Sequence, residues 1–273
     1  MPIITISRGS YSRGKEVAEK VAARLGYECI SRDVLIEASE IFNIPEIRLV
    51  RAIHDAPSVL DRFRFGKERY VAFIRAALLR RVQGDNIVYH GLAGHFFLQN
   101  IPHVLKVRII ADMEDRVREE MKREGVAADK ARDLIQKDDG ERRKWSLSLY
   151  GIDTADAGLY DMVLSIRTLR VDDVVEAIVD AAGRPCFRNT AESQRILDDL
   201  TLAAQVEIAL VDEFPRVKVT AADGVVHVYI TVGLSRLTSK SESDVIRPVE
   251  EIARLIGGAQ EVRVHLSHSV MTD

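Results

Sequence analysis

A short β-branched run, Ile3-Ile4-Thr5-Ile6, leads directly into Gly9-Ser10-Tyr11-Ser12-Arg13-Gly14-Lys15-Glu16. Val17, Ala18, Val21, Ala22 and Leu25 then recur at the spacing of one helix face. A buried strand, a tight loop bounded by glycines and a helix constrain one another strongly, because the loop's backbone N–H groups and the positive helix end must face the same place. An anion suits that place, and a lysine opening the helix adds a point charge for the β/γ-phosphates. Gly9-x-x-x-x-Gly14-Lys15 fits the phosphate-loop pattern as far as the lysine. Where the pattern puts a Ser or Thr hydroxyl on Mg²⁺, this chain has Glu16. The plain alternative is an ordinary αβ connection with two turn glycines.

The rest of the chain narrows the class. Its 273 residues are 47% hydrophobic and 30% charged, enough for one large domain or two smaller ones, each with a core. A net charge of −3 gives no reason to expect nucleic acid. No apolar run reaches the roughly 18–20 residues of a membrane span, and the first residues lack the basic start and apolar core of a secretion signal. Cys29 and Cys186 are far apart, without metal-type spacing, and read as small buried hydrophobes in a reducing compartment. The expectation is a cytoplasmic protein with no integral membrane span.

Apolar runs at 87–90, 104–110 and 161–166 alternate with helical patterns, which predicts a parallel sheet with helices on both faces over residues 1–183. In such sheets ligands lie beyond the carboxyl ends of the strands, where the glycine loop falls. Residues 184–190 break the alternation and read as a linker. From 191 to 273 the order is helix, a hairpin turning at Asp223-Gly224, helix and a last strand: a small α+β unit of α-β-β-α-β order. From Pro185 onward there are 9 Lys and Arg against 13 Asp and Glu, so this part is acidic.

Taken in order, several stretches of residues 1–183 resemble the cytidylate-kinase-like branch of the P-loop nucleoside monophosphate kinases. They are Ile4 to Arg8 with Gly9 to Glu16, Leu25-Gly26-Tyr27 with Asp33, Val88 to Ala93, Glu114 to Val117, Asp139 to Arg142, and Leu159 to Leu164. Residues 191–273 resemble a BON module. The kinase resemblance implies a three-layer α/β P-loop fold and transfer of the ATP γ-phosphoryl, with Mg²⁺, to a nucleoside monophosphate, CMP or dCMP. It implies that Gly9 to Glu16 hold the donor phosphates and that Lys15, Arg116 and Arg142 are catalytic. Arg116, Asp139 and Arg142 would belong to a closing lid, and Asp33, His90 and Asp139 would meet the acceptor. Closure would expel water and strengthen each ionic contact.

Two departures from that pattern stand in this sequence. Glu16 and Val17 follow the lysine, which leaves Mg²⁺ to water, Ser12, Asp33 or another carboxylate, and Leu92 follows His90-Gly91 where many such kinases carry an arginine. They motivate a second reading, a nucleotide-binding regulatory protein with little phosphoryl transfer that signals through the C-terminal part. That part's exposed hairpin edge is a candidate for a homo-oligomer contact. The plainer readings make 114–144 a solvated helix pair with ion pairs such as Glu119–Arg123, Asp33 a helix cap, His90 a core histidine, and His265 and His268 incidental surface residues.

Overall fold

The computed structural model of the chain describes residues 2–9, 11–31, 66–91, 94–233 and 241–269. They divide into two units: 2–31 with 84–190, and 66–83 with 191–269.

The first unit is built on a parallel sheet of β1 (Ile3–Arg8), β2 (Glu28–Ile30), β3 (Ile87–His90), β4 (Val104–Ala111) and β5 (Met162–Ile166), in the order β2-β3-β1-β4-β5. Every pairing is parallel, and β1 lies at the centre, with Ile4 opposite Val88 on one side and Leu105 on the other. A central parallel strand is buried on both faces, which is why β1 and β3 read as near-continuous apolar runs. Helix α1 (Gly14–Leu25) covers one face, sending Val17, Ala18, Val21 and Ala22 onto Ile4, Ile6, Val88 and Val107. The closing helix of this unit, Val171–Ala182, adds Val174, Val175 and Ile178 to the same core. Asp161 sets the start of β5 by accepting from the backbone and side chain of Lys106 at 2.8 and 3.2 Å.

The second unit begins with α2 (Gly66–Val82). We number on in chain order: α3 (Gly94–Phe97), α4 (Met113–Glu124), α5 (Ala128–Tyr150) and α6 (Val171–Ala182) belong to the first unit, α7 (Ala191–Leu210) and α8 (Glu242–Leu255) to the second. Its sheet runs β6 (Lys218–Ala222), β7 (Val225–Gly233), β8 (Glu261–Ser269), with β6 and β7 antiparallel and β7 and β8 parallel. Leu202, Val206 and Leu210 of α7 and Val245, Val249 and Ala253 of α8 close over Val219, Val226, Val228 and Ile230. The α-β-β-α-β order is as the sequence predicts.

Three expectations change. The sequence assigns all of 1–183 to one domain, whereas α2 packs with α7: Arg75 meets Glu207 at 2.6 Å, Arg69 meets Asp212 at 2.8 Å and Gln83 donates to Asp198 at 3.1 Å. An apolar stripe reports that a helix is covered and says nothing about which neighbour covers it. The linker 184–190 contains a 3₁₀ turn, Pro185–Phe187, within which Cys186 is exposed instead of buried; Cys29 is half-buried. Among the described residues, no helix is long and apolar enough to cross a membrane.

Candidate functional site

The loop after β1 is held from beneath by β4. The Gly9 N–H donates to the Ile109 carbonyl at 3.3 Å. The hydroxyl of Ser12, wholly buried, lies 3.0 Å from the Gly9 carbonyl and 3.2 Å from that of Ile109. The Ser12 hydroxyl is thus directed at the backbone of the loop and of β4. Tyr11 (φ 58°) and Arg13 (φ 57°) sit in the left-handed region, which costs a residue with a side chain roughly 1 kcal/mol or more. The turn lets the chain enter α1 at Gly14 with Arg13 as N-cap and no side-chain cap bond. The first-turn amides of a helix have no intrahelical partner, and here no side chain of the cap residue supplies one.

Gly14 is required by its neighbour. A Cβ there would lie 2.7 Å from Cβ of Arg8 and 3.0 Å from its Cδ, so the stem of Arg8 runs across the start of the helix. Lys15, as the second helical residue, is turned away: its side chain is 62% exposed and its ammonium lies 3.6 Å from Glu19, one turn on. Glu16 is likewise engaged outside, with Arg13 at 2.7 Å and Lys20 at 3.5 Å.

The lid helices converge on this loop. Arg116 of α4 is buried and pairs with Asp139 of α5 at 2.6 Å, and its Cζ lies 4.0 Å from where a Cβ on Gly9 would be. Arg123 stacks over the Tyr11 ring with Cζ 4.3 Å from the centroid and donates to the Tyr11 hydroxyl at 2.9 Å. That hydroxyl donates to Asp138 at 3.1 Å. The ring packs with Val117, Ala131 and Ile135, so Tyr11 joins the loop to both lid helices. Burial, then Asp138, raises the Tyr11 pKa, which keeps the phenol protonated as a donor at neutral pH. Burial, followed by the like charges of Arg142 and Arg123, lowers the Arg8 pKa. Arg123 takes Glu120 and Glu124 as partners at 3.1 and 3.0 Å, in place of the expected Glu119.

The structure thus brings Gly9, Tyr11, Arg116 and Asp139 together, pairs Lys15 and Glu16 with Glu19 and Lys20 along α1, and buries His90 at the end of β3. Ser10 and Asp33 lie outside the described residues. Among the described residues no three or more His, Cys, Asp or Glu side chains form a group able to hold a metal. Arg8 is the cation that the sequence did not single out, because it reads as the polar end of a strand.

A second group was also not signalled in sequence. The Tyr160 hydroxyl lies 3.2 Å from Ser7 Oγ, 3.1 Å from His95 Nε2 and 3.0 Å from the Thr154 carbonyl, and accepts from Arg108 at 3.2 Å. Burial and, behind it, Arg108 push the His95 pKa down to about 3, so this ring is neutral at pH 7. The members are scattered over residues 7–160 and meet only through the parallel register of β1 and β4, which sets Ser7 beside Arg108.

Comparison with known proteins adds the following. Cytidylate kinase of Thermococcus kodakarensis is 33% identical over 97 residues, covering 36% of this chain and 49% of that protein. Cytidylate kinase of Pyrobaculum aerophilum is 23% identical over 182 residues, covering 66% of this chain and 92% of that one. The chain thus spans about half the length of the Thermococcus relative, with similar shares, 56% and 52%, of those from Methanopyrus kandleri and Thermoplasma acidophilum. A crystal structure of an uncharacterized protein from Eubacterium ventriosum superposes with a TM-score of 0.52 at 20% identity, over 66% of this chain and 97% of that one, a likeness of fold. The sequence model of the Cytidylate kinase-like family matches residues 3–168, across the whole loop, sheet and lid, and the chain belongs to that family.

Proposed function

We propose that the first unit is an ATP-dependent nucleoside monophosphate kinase with CMP or dCMP as acceptor. The observation that carries this reading is the packing of Arg8, Arg116 and Arg123 against a strand–loop–helix turn whose helix has no side-chain cap. Arg116 and Arg123 are held by Asp139, Glu120 and Glu124, and a polyphosphate offers guanidinium groups paired acceptor oxygens. Phosphoryl transfer needs positioning and neutralisation more than acid–base chemistry, since a phosphate oxygen of the acceptor is already a nucleophile. In this reading the amides of the loop and helix start hold the donor phosphates. Arg116, kept in place by Asp139, and Arg142 balance charge on the transferring group. His90, Asp139 and, by the family resemblance, Asp33 would meet the acceptor.

Among the described residues no cluster of three or more His, Cys, Asp or Glu marks a metal position, and in this reading Mg²⁺ would be held by the donor phosphates, water and at most one or two carboxylates. No step here depends on it.

ADP release measured with ATP and each of CMP, dCMP, UMP, AMP and GMP tests the proposal. Turnover with CMP or dCMP at the highest kcat/KM is expected, and folded protein that turns over none of them removes it. The outward Lys15 and the Leu92 that follows Gly91 favour the second reading, a nucleotide-binding regulator acting through the C-terminal unit, a BON-like or dimerisation module. That reading expects a nucleotide-dependent rise in Tm with negligible phosphoryl transfer.

A further inference from the structure

We infer that the uncovered face of the β6-β7-β8 sheet binds single-stranded nucleic acid, with unpaired bases stacking on Tyr229 and His265 and a phosphate beside Lys218. The inference concerns the second unit alone and does not depend on the donor-site reading. The strands of this sheet alternate. Val219, Val226, Val228, Ile230 and Val262 turn inward under α7 and α8. The other side carries Lys218 of β6, His227, Tyr229 and Thr231 of β7, and Arg263 and His265 of β8. The register sets Lys218 beside Tyr229, Tyr229 beside His265 and His227 beside Arg263. His227 is half-buried and the other five are exposed. The rings are already arranged: the planes of His227, Tyr229 and His265 lie within 16° of parallel, with the Tyr229 and His265 centroids 4.6 Å apart. His227 Nδ1 and His265 Nε2 are hydrogen-bonded at 3.0 Å, as are the hydroxyls of Thr231 and Ser267. Side chains that fix one another in this way lose little entropy when a ligand arrives.

The chemistry of the face selects its occupant. A second sheet or a lipid surface needs a broad apolar face. Here, apart from Val225 beside the hairpin, the described residues of that side include no branched aliphatic. Aromatic rings beside a cation and hydroxyls fit unpaired bases, whose π-faces continue the stack, and the phosphates that join them. The charges are segregated to match. Helix α7 carries four Asp and Glu against one Arg, and α8 four against two. On the sheet face the one carboxylate among the described residues is Glu261, and Arg263 holds both its oxygens, at 2.7 and 3.2 Å. Those two cancel and leave Lys218 as the uncompensated charge. The net charge of −3, which gives no reason to expect such a partner, therefore averages over two unlike sides of this unit.

The test is fluorescence anisotropy of the full chain with a labelled uridine dodecamer and with a duplex of equal length, over a range of salt and with or without saturating ATP. The dodecamer should bind at least tenfold tighter than the duplex, with affinity unchanged by ATP. Tyr229→Ala should weaken it at least fivefold, the loss of one stacked base, and Tyr229→Phe should stay within twofold of wild type. Lys218→Met should reduce the slope of log affinity against log salt by about 0.7, the value of one phosphate contact on a single strand. Arg254→Ala, on the helical side, should match wild type. A dodecamer that does not bind, that is displaced by ATP, or that binds Tyr229→Ala within twofold of wild type overturns the inference, as does a duplex bound equally well. Sedimentation as a dimer that Tyr229→Ala dissociates also overturns it, since the face would then join two copies of the chain. Should Tyr229→Ala fail to fold, crosslinking of a 4-thiouridine dodecamer to the wild-type chain decides: crosslinks on β7 and β8 support the inference, and crosslinks confined to the first unit overturn it.

Discussion

Two turns in this molecule use the same unusual backbone and resolve it in opposite ways. The hairpin between β6 and β7 puts Asp223 at φ 50° and Gly224 at φ 78°, the left-handed pair that a tight two-residue connection needs. Its N–H groups are answered from within the chain, since the Asp199 carboxylate of α7 accepts from Asp223 at 2.9 Å and from Gly224 at 3.2 Å. The loop after β1 also carries two left-handed residues, Tyr11 and Arg13, yet what gathers around it is a set of guanidiniums. One turn contains its own anion and is a finished piece of structure. The other has no cap side chain for the amides of its helix start and gathers arginines with their carboxylate partners. The comparison separates a turn kept for folding from a turn kept for a ligand, on the sign of the side chains that face its amides.

The largest effect expected from that contrast is on catalysis. Arg116→Ala should lower kcat/KM for phosphoryl transfer by about 10³-fold, the order found when an arginine that meets a transferring phosphoryl group is removed. The ADP-release assay measures it, and a loss below tenfold would mean that Arg116 serves only to pair with Asp139. Acid provides the next largest effect. His95 takes up a proton near pH 6.5 when unfolded and only near pH 3 when folded. The unfolded state therefore binds more protons between those values, and stability present above pH 6.5 is lost on acidification by about 1.4 kcal/mol per pH unit. Urea melts at pH 7, 6 and 5 should show it, and His95→Gln should flatten the slope by about one proton. An unchanged slope in that variant would show that the ring does not stay neutral beside Arg108.

Asp199→Ala sharpens the comparison from the other side. It removes the acceptor of two solvent-reachable hairpin N–H groups and should cost about 0.5–1.5 kcal/mol of stability while ATP affinity stays within twofold. A matching loss of ATP affinity would break the distinction between the two turns.

The parts of this arrangement that sequence could show are those set by local period and composition. The β-branched start, the stripe Val17-Ala18-Val21-Ala22 and the Asp223-Gly224 hairpin carry their own signals, because side-chain spacing and positive φ are properties of neighbouring residues. What was hidden depended on a single residue of phase or on distant partners. Starting α1 at Gly14 makes Lys15 the second helical residue, where its ammonium lies 3.6 Å from Glu19 one turn on. Arg8 looked like the polar end of a strand until its stem was found over Gly14. The grouping of α2 with α7 rests on Arg75–Glu207 and Arg69–Asp212, pairs more than a hundred residues apart. The lid residues Arg116 and Asp139 were legible as candidates, while the role of Tyr11 in joining loop to lid was not.

That role gives the smallest expected effect and the finest test of the contrast. Tyr11→Phe preserves the ring, its packing against Val117 and Ile135 and the stacked Arg123, and removes only the hydroxyl that links Arg123 to Asp138. If the loop is kept for a ligand, loosening this link should leave the fold nearly intact, at a cost of about 1 kcal/mol in ΔG by chemical denaturation. It should also raise KM for ATP a few-fold, because the lid then has to be ordered by the nucleotide itself, with kcat less affected than KM. If instead the loop is a folding element like the hairpin, the variant should lose stability with KM unchanged. The two outcomes differ in which measurement moves, so a side chain lost from the loop can be told apart from one lost from the hairpin by the same pair of experiments.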